Sequence, residues 1–136
     1  MTDAEPIDPS RAEAERGALM EKLGMEWLEL SPDRVRARIP VEGNTQPFDL
    51  LHGGASACLA ETLASIGAWL SDTSKLTMGI EIKVNHLRPG IKGWITGVGT
   101  PLQKGRSIHV WEIRMTDDDQ RLTAFSTVTI AIRDRR

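Results

Sequence analysis

The chain has 136 residues, 40% of them hydrophobic and 26% charged, with a net charge of −2 at pH 7. This length predicts one domain, and the near-neutral charge argues against a surface built for nucleic acid. No stretch is apolar enough to predict a membrane span. Cys58 is the only cysteine and the first residues are acidic rather than apolar, so we expect a reducing, cytoplasmic environment.

The N-terminal third predicts an arm, a helix and two strands. Residues 1–9 contain two prolines and several acids, which indicates a flexible arm ahead of a single domain over residues 10–136. Ser10 is a candidate N-cap for a helix over residues 11–23, which Gly24 would end. Residues 25–30 and 34–41 predict strands.

The second of these strands alternates cleanly between apolar and basic side chains. Its apolar positions predict a buried face, while Arg34, Arg36 and Arg38 predict a face in contact with solvent. We expect a solvated strand face here rather than a site for a polyanion.

Residues 53–70 predict a long helix of small residues in which Glu61 is the only charge. A carboxylate on a helix otherwise suited to burial is costly to desolvate, so it needs a reason, and catalysis is the first to test. The alternative is a buried carboxylate satisfied by the backbone or by Thr62.

The rest of the chain has a period of two. Strands are predicted over residues 76–87, 91–102, 107–115 and 121–132, with Ile80, Ile82, Val84 and His86 on one face of the first. Gly97 and Gly99 indicate a bulge or a close backbone approach. Consecutive strands with short turns predict an antiparallel sheet, and one long helix packed on it gives an α+β domain.

One set of residues resembles a known signature: Gln46, His52-Gly53-Gly54, Glu61 and Ser65. The chain is similar to the hotdog-fold acyl-CoA thioesterases of the phenylacetate-pathway and Arthrobacter-type 4-hydroxybenzoyl-CoA group. Residues 78–88 and 101–113 are similar to the branch that hydrolyses 1,4-dihydroxy-2-naphthoyl-CoA. The resemblance implies a curled sheet of five to six strands around one long helix, and an enzyme that cleaves acyl-CoA or acyl-carrier thioesters without a cofactor.

The resemblance also assigns roles to these positions. The Gly53 N–H, at the positive end of a helix, would hold the thioester carbonyl, and Glu61 would be the nucleophile or general base. Gly54 would allow a tight turn, Gln46 would donate to the carbonyl, and His52 would position the loop or form a hydrogen bond near the thioester. Ser65, one turn beyond Glu61, is either a hydrogen-bonding partner of the attacking water or a small packing residue.

Spacing predicts that two chains share each site. Glu61 is eight residues after Gly53, about 12 Å along a helix axis, whereas a base must come within about 3 Å of the reacting atoms. Antiparallel helices from two subunits would solve this, so we expect a dimer. The resemblance implies that dimers pair into tetramers.

Further positions are candidates for substrate binding. The resemblance puts Gly79 and His86 near the substrate, although a histidine on an apolar strand face is also a common core residue. The CoA phosphates would be bound by Arg88 and the turn Lys104, Gly105, Arg106 and Ser107, which are otherwise solvated strand-end residues.

Other positions are candidates for the acyl pocket or for structural roles. Phe48, Trp69 and Met78 are possible acyl-pocket walls, while His109 and Trp111 are assigned to structure. The three histidines and one cysteine lack metal-ligand spacing. Two other functions stay open, a hotdog dehydratase or hydratase and a non-catalytic acyl-CoA-binding protein.

Overall fold

A six-stranded antiparallel sheet wraps one long helix. The computed structural model describes Ser10 and residues 16–135. Its helices are α1 (Ala18–Lys22) and α2 (Gly53–Ser71); its strands are β1 (Glu26–Leu30), β2 (Val35–Pro40), β3 (Lys75–His86), β4 (Trp94–Lys104), β5 (Ile108–Thr116) and β6 (Leu122–Asp134). The strand order is β1-β2-β4-β5-β6-β3. The predicted α+β hotdog architecture is therefore confirmed.

Helix α2 lies close to the sheet because glycines remove side chains where the two meet. A Cβ atom at Gly67 would be 2.3 Å from Trp111 Cη2, and one at Gly97 would be 2.6 Å from Leu63 Cδ1. These separations are far below van der Waals contact, so both positions require glycine. The predicted close backbone approach at Gly97 is confirmed, whereas the irregularity in β4 lies between Pro101 and Gln103.

The arginine face of β2 is a solvated face, as predicted. Arg38 forms an ion pair with Glu26 at 2.6 Å, and Arg34 pairs with Glu29 at 3.2 Å. The Arg38 guanidinium also lies 4.0 Å from the centre of the Trp94 ring. Two carboxylates offset two of the three arginine charges, since Arg34 and Arg36 share Glu29, so this face has little positive charge left for a polyanion.

The helix predicted over residues 11–23 is confirmed over residues 18–22 and contradicted at Arg16 and Gly17. Helix α1 begins only at Ala18, after Gly17 adopts a positive φ of 80°. Residues 11–15 lie outside the described residues. Arg16 precedes the helix, and its Nη1 donates a hydrogen bond to the carbonyl of Met25. Gly24, with φ of 73°, follows the helix as expected.

Strand β3 lies at the edge of the sheet and pairs only with β6. A shift in register between Gly79 and Glu81 leaves Ile80 without a partner, so Ile80 does not continue the alternation predicted for Ile82 and Val84. Four of its apolar side chains are 36–57% exposed: Leu76, Met78, Ile80 and Ile82. A long, apolar, unpaired edge is a template for pairing with another chain.

Candidate active site

The start of α2 presents a free backbone donor. His52 is the N-cap, and its Nδ1 accepts a hydrogen bond from the Gly54 N–H at 2.8 Å. His52 therefore occupies the loop-positioning place that the sequence predicted for it. No described residue accepts a hydrogen bond from the Gly53 N–H. An unpaired N–H at the positive end of a 19-residue helix can stabilise negative charge on an oxygen atom.

The His86 imidazole lies against Gly53. A Cβ atom at residue 53 would be 2.9 Å from His86 Nε2, so glycine is needed for this contact. Gly53 and His86 line a cavity of about 360 Å³ together with Gln46 and Arg88. The Gln46 side-chain oxygen accepts a hydrogen bond from the Phe48 N–H, which leaves its amide N–H groups available. Four of the predicted site residues therefore lie together in this cavity: Gln46, Gly53, His86 and Arg88.

The Glu61 carboxylate lies beside the strand residue Gly79. A Cβ atom at residue 79 would be 3.1 Å from Glu61 Cδ and 3.2 Å from Oε1. Among the described residues, none donates a hydrogen bond to this half-buried carboxylate or forms an ion pair with it. The reading in which the backbone or Thr62 satisfies Glu61 is therefore wrong, because the Thr62 hydroxyl donates to the Cys58 carbonyl instead. Burial, and then the Glu61 charge, raise the pKa of the Cys58 thiol.

A second cavity, of about 260 Å³, opens beside Glu61. Its lining combines hydroxyl groups, apolar side chains and one cation: Arg16, Trp27, Glu61, Thr62, Ser65, Ile66, Trp69 and Thr77. Ser65 and Trp69 were predicted here from sequence. Phe48 and Met78 were also suggested as walls, but both are largely exposed in the single chain and neither lines this cavity. We call this space the Glu61 cavity.

The two halves of the predicted site are separate within one chain. Gly53 and Glu61 line different cavities, as their separation of about 12 Å along the helix requires. Both nevertheless face β3, since Gly53 contacts His86 near one end of that strand and Glu61 contacts Gly79 nearer the other. One chain therefore presents two half-sites along a single exposed strand.

The predicted phosphate-binding turn lies in a third cavity, of about 640 Å³. Lys104, Gly105, Arg106 and Ser107 line it together with Lys75, so it is rich in cationic groups. Lys104 also pairs with Asp33 at 2.8 Å. The hydrogen bond and charge of Lys75 lower the pKa of the Asp134 carboxyl. Arg88 lines the Gly53 cavity instead. Within one chain it is therefore not part of the phosphate-binding group that the sequence predicted with Lys104 and Arg106.

His109 and Trp111 are buried in the core, in line with the structural role predicted for them. Trp111 Nε1 donates a hydrogen bond to His109 Nδ1 at 3.3 Å. Burial and the neighbouring charge of Lys104 lower the pKa of His109. His109 also lines the basic cavity, and its neutral form places no further positive charge there.

Several lining residues of the Glu61 cavity were missed by sequence reasoning, Trp27 and Arg16 among them. Trp27 lies on β1 and Arg16 lies ahead of α1, so neither is near Glu61 along the chain. Their residue types gave a weak signal, since Trp27 is one of four tryptophans and an arginine preceding a glycine marks no motif. Among the described residues, no group of three or more His, Cys, Asp or Glu side chains is placed to hold a metal ion. None of the described helices is both long and apolar enough to span a bilayer.

A long helix wrapped by a curled antiparallel sheet is the hotdog fold, which this chain shares with thioester hydrolases. The chain belongs to the thioesterase superfamily, whose family description matches residues 48–124.

Named relatives agree with this family. The chain is 42% identical over 118 residues to the proofreading thioesterase EntH of Cronobacter turicensis, covering 85% of this chain and 86% of the relative. It is 38% identical over 120 residues to a 1,4-dihydroxy-2-naphthoyl-CoA hydrolase of Listeria monocytogenes, with 87% and 98% covered. The crystal structure of thioesterase HI1161 from Haemophilus influenzae superposes with a TM-score of 0.87 at 31% identity, covering 98% and 96%.

Proposed function

We propose that this enzyme hydrolyses acyl-CoA thioesters, with aromatic acyl groups preferred, and that Glu61 and the Gly53 N–H perform the chemistry. One observation carries the proposal: the Glu61 carboxylate, which no described residue neutralises, and the open N-terminus of α2 both lie against β3. Thioester hydrolysis needs both a group that polarises the carbonyl and a base or nucleophile. The two half-sites supply these groups.

In this reaction the thioester carbonyl oxygen accepts a hydrogen bond from the Gly53 N–H. Glu61 either removes a proton from water as the water oxygen attacks the acyl carbon, or attacks that carbon itself to give an anhydride that water then opens. In both routes the carbon–sulfur bond breaks and the thiolate leaves, to be protonated as free CoA. The net products are the carboxylic acid and CoA.

We propose that the site is completed by a second copy of the chain. Antiparallel pairing of β3 with its copy about a two-fold axis close to Lys83 would bring Gly79 opposite the partner subunit's His86. Glu61 would then approach the partner subunit's Gly53. The exposed apolar side chains of β3 and its unpaired backbone edge support this arrangement. The tetramer stays a prediction that comes from the resemblance alone.

The other cavities support the substrate class. The Glu61 cavity has two indole walls, from Trp27 and Trp69, which suit the flat face of an aromatic acyl group. The basic cavity around Lys104 and Arg106 suits the phosphates of CoA, because ammonium and guanidinium groups bind phosphate through charge-assisted hydrogen bonds. We propose these roles for the two cavities.

Release of free thiol from a panel of aryl and aliphatic acyl-CoA esters tests the proposal. We expect the wild-type protein to cleave aryl esters and the Glu61→Gln variant to lose about 10² or more in kcat. Glu112→Gln is the matched control, since Glu112 is half-buried on β5 and pairs with Arg114 instead. Full hydrolysis by Glu61→Gln would refute the role of Glu61, and a wild-type protein inactive on every ester would refute the proposed activity.

A further inference from the structure

We infer that Arg16 is a specificity-determining residue that favours acyl groups carrying a hydrogen-bond acceptor or negative charge at the end remote from the thioester. The inference rests on the proposed function, because it takes the Glu61 cavity to hold the acyl group. A ring hydroxyl or a second carboxylate on the acyl group would meet this requirement.

Arg16 and Glu61 line the same two cavities, and no ion pair joins them. Arg16 lines the Glu61 cavity and also an adjoining cavity of about 330 Å³ that residues 16–20 share with Cys58, Glu61 and Thr62. Among the described residues, Arg16 forms no ion pair with Glu61 or with any other carboxylate. Its guanidinium is therefore a positive charge at the cavity wall that no described carboxylate neutralises.

Within the described part of the chain, one hydrogen bond anchors Arg16 and its other N–H donors have no acceptor. Nη1 donates to the Met25 carbonyl at the entry to β1, which ties the guanidinium to the sheet. A guanidinium has five N–H donors and no acceptor, so a ligand that it binds must supply the acceptor. A planar carboxylate or a phenolic oxygen has suitable geometry.

Two hydroxyl groups of the cavity are already bonded within the protein, whereas Trp27 Nε1 has no partner among the described residues and is a second, neutral N–H donor beside Arg16. The Thr62 hydroxyl donates to the Cys58 carbonyl at 2.8 Å, and the Thr77 hydroxyl donates to the Ser65 carbonyl at 3.0 Å. Both hydroxyl protons are thus in use within the protein. Arg16 is the one cationic donor among the described residues that line the cavity.

The cavity has room for a substituted ring. A cavity of about 150 Å³ is enough to bind benzene, and the Glu61 cavity measures about 260 Å³. Trp27, Ile66 and Trp69 contribute apolar side chains to its wall, against which a flat ring can pack. An acyl ring held between these walls would bring a distal substituent towards Arg16.

The test compares substrates that differ only in the distal group: benzoyl-CoA, 4-hydroxybenzoyl-CoA and 4-carboxybenzoyl-CoA. For Arg16→Met we expect kcat/KM on the substituted esters to fall about tenfold relative to benzoyl-CoA, on which activity stays within about twofold. Arg16→Lys, which keeps the charge but loses the planar fork, should give an intermediate ratio. Arg34→Met, at an exposed position directly before β2, controls for loss of a positive charge.

Two outcomes would overturn the inference. An equal loss on all three esters would mean that Arg16 acts on Glu61 or on folding, and an unchanged ratio would mean that it does not contact the acyl group. Calorimetric titration of Glu61→Gln protein, with and without Arg16→Met, measures the same preference as binding. This second readout tests Arg16 even if the wild-type protein hydrolyses no ester, which is the result that would refute the proposed function.

Discussion

Substituting Gly53 by proline removes the backbone N–H that we propose as the hydrogen-bond donor to the thioester carbonyl oxygen. Gly53 is the first residue of α2, where proline is favoured because its missing N–H has no helical partner. The preceding residue, His52, has φ of −63° and ψ of 130°, the extended conformation that a residue before proline adopts. The helix should therefore keep its starting point in the Gly53→Pro variant.

Gly53→Ala is the matched control because it adds bulk while keeping the N–H. A Cβ atom at this position would be 2.9 Å from His86 Nε2, so both variants must displace the imidazole. The difference between them isolates the donor. Loss of one oxyanion donor costs about 10²–10³ in kcat, equivalent to about 2.7–4 kcal/mol, and we expect Gly53→Pro to fall below Gly53→Ala by this factor.

The assay is thiol release from an aryl-CoA ester, with thermal unfolding measured on the same samples. Comparable unfolding midpoints would establish that both variants keep the fold. If Gly53→Pro then hydrolysed the ester within about threefold of Gly53→Ala, the Gly53 N–H would not be stabilising the transition state, and the assignment of the helix N-terminus would be wrong.

Three further predictions concern assembly, packing and pH. An equal mixture of Glu61→Gln and Gly53→Pro chains, refolded together, should recover about a quarter of wild-type activity, because half of the dimers are mixed and each has one intact site; no recovery would contradict the shared site. Gly67→Ala should lower the free energy of unfolding in urea by about 1–2 kcal/mol through overlap with Trp111, and an unchanged midpoint would contradict this. Because burial lowers the pKa of His109, the unfolded chain binds a proton there more readily, so stability should fall as pH drops below about 6.5. The same urea titrations at pH 7.5 and 5.5 should show a smaller loss for His109→Gln, and an identical loss would exclude His109 as the cause.

The elements that sequence predicted correctly are those with a local signal. The small residues and single charge of α2, and the alternation in β2, depend on neighbours along the chain, so they can be recognised without the fold. Gly97 was likewise recognised, because a glycine inside a strand pattern has few explanations. The spacing of Gly53 and Glu61 was enough to predict that one chain would separate them.

What sequence could not supply depends on contacts between distant segments. The break before α1 depends on Gly17 adopting a positive φ, while Arg16 bonds to Met25 instead of continuing a helix. The bulge at Ile80 depends on the register of β3 against β6, which no local pattern encodes.

The walls of the Glu61 cavity show the same limit. They come from β1, α2 and β3, and the segment before α1 also contributes, so Trp27 could not be paired with Trp69 before the fold was known.

The separation of Gly53 and Glu61 along one rigid helix limits how this chain can change length. Inserting a single residue between them would turn one group by about 100° about the axis and shift it by about 1.5 Å. In the proposed dimer each chain contributes to two sites, so both sites would be disrupted together. The hairpin between β5 and β6 lies outside this segment, so we expect lineages to vary in length there and to keep these eight positions without gaps.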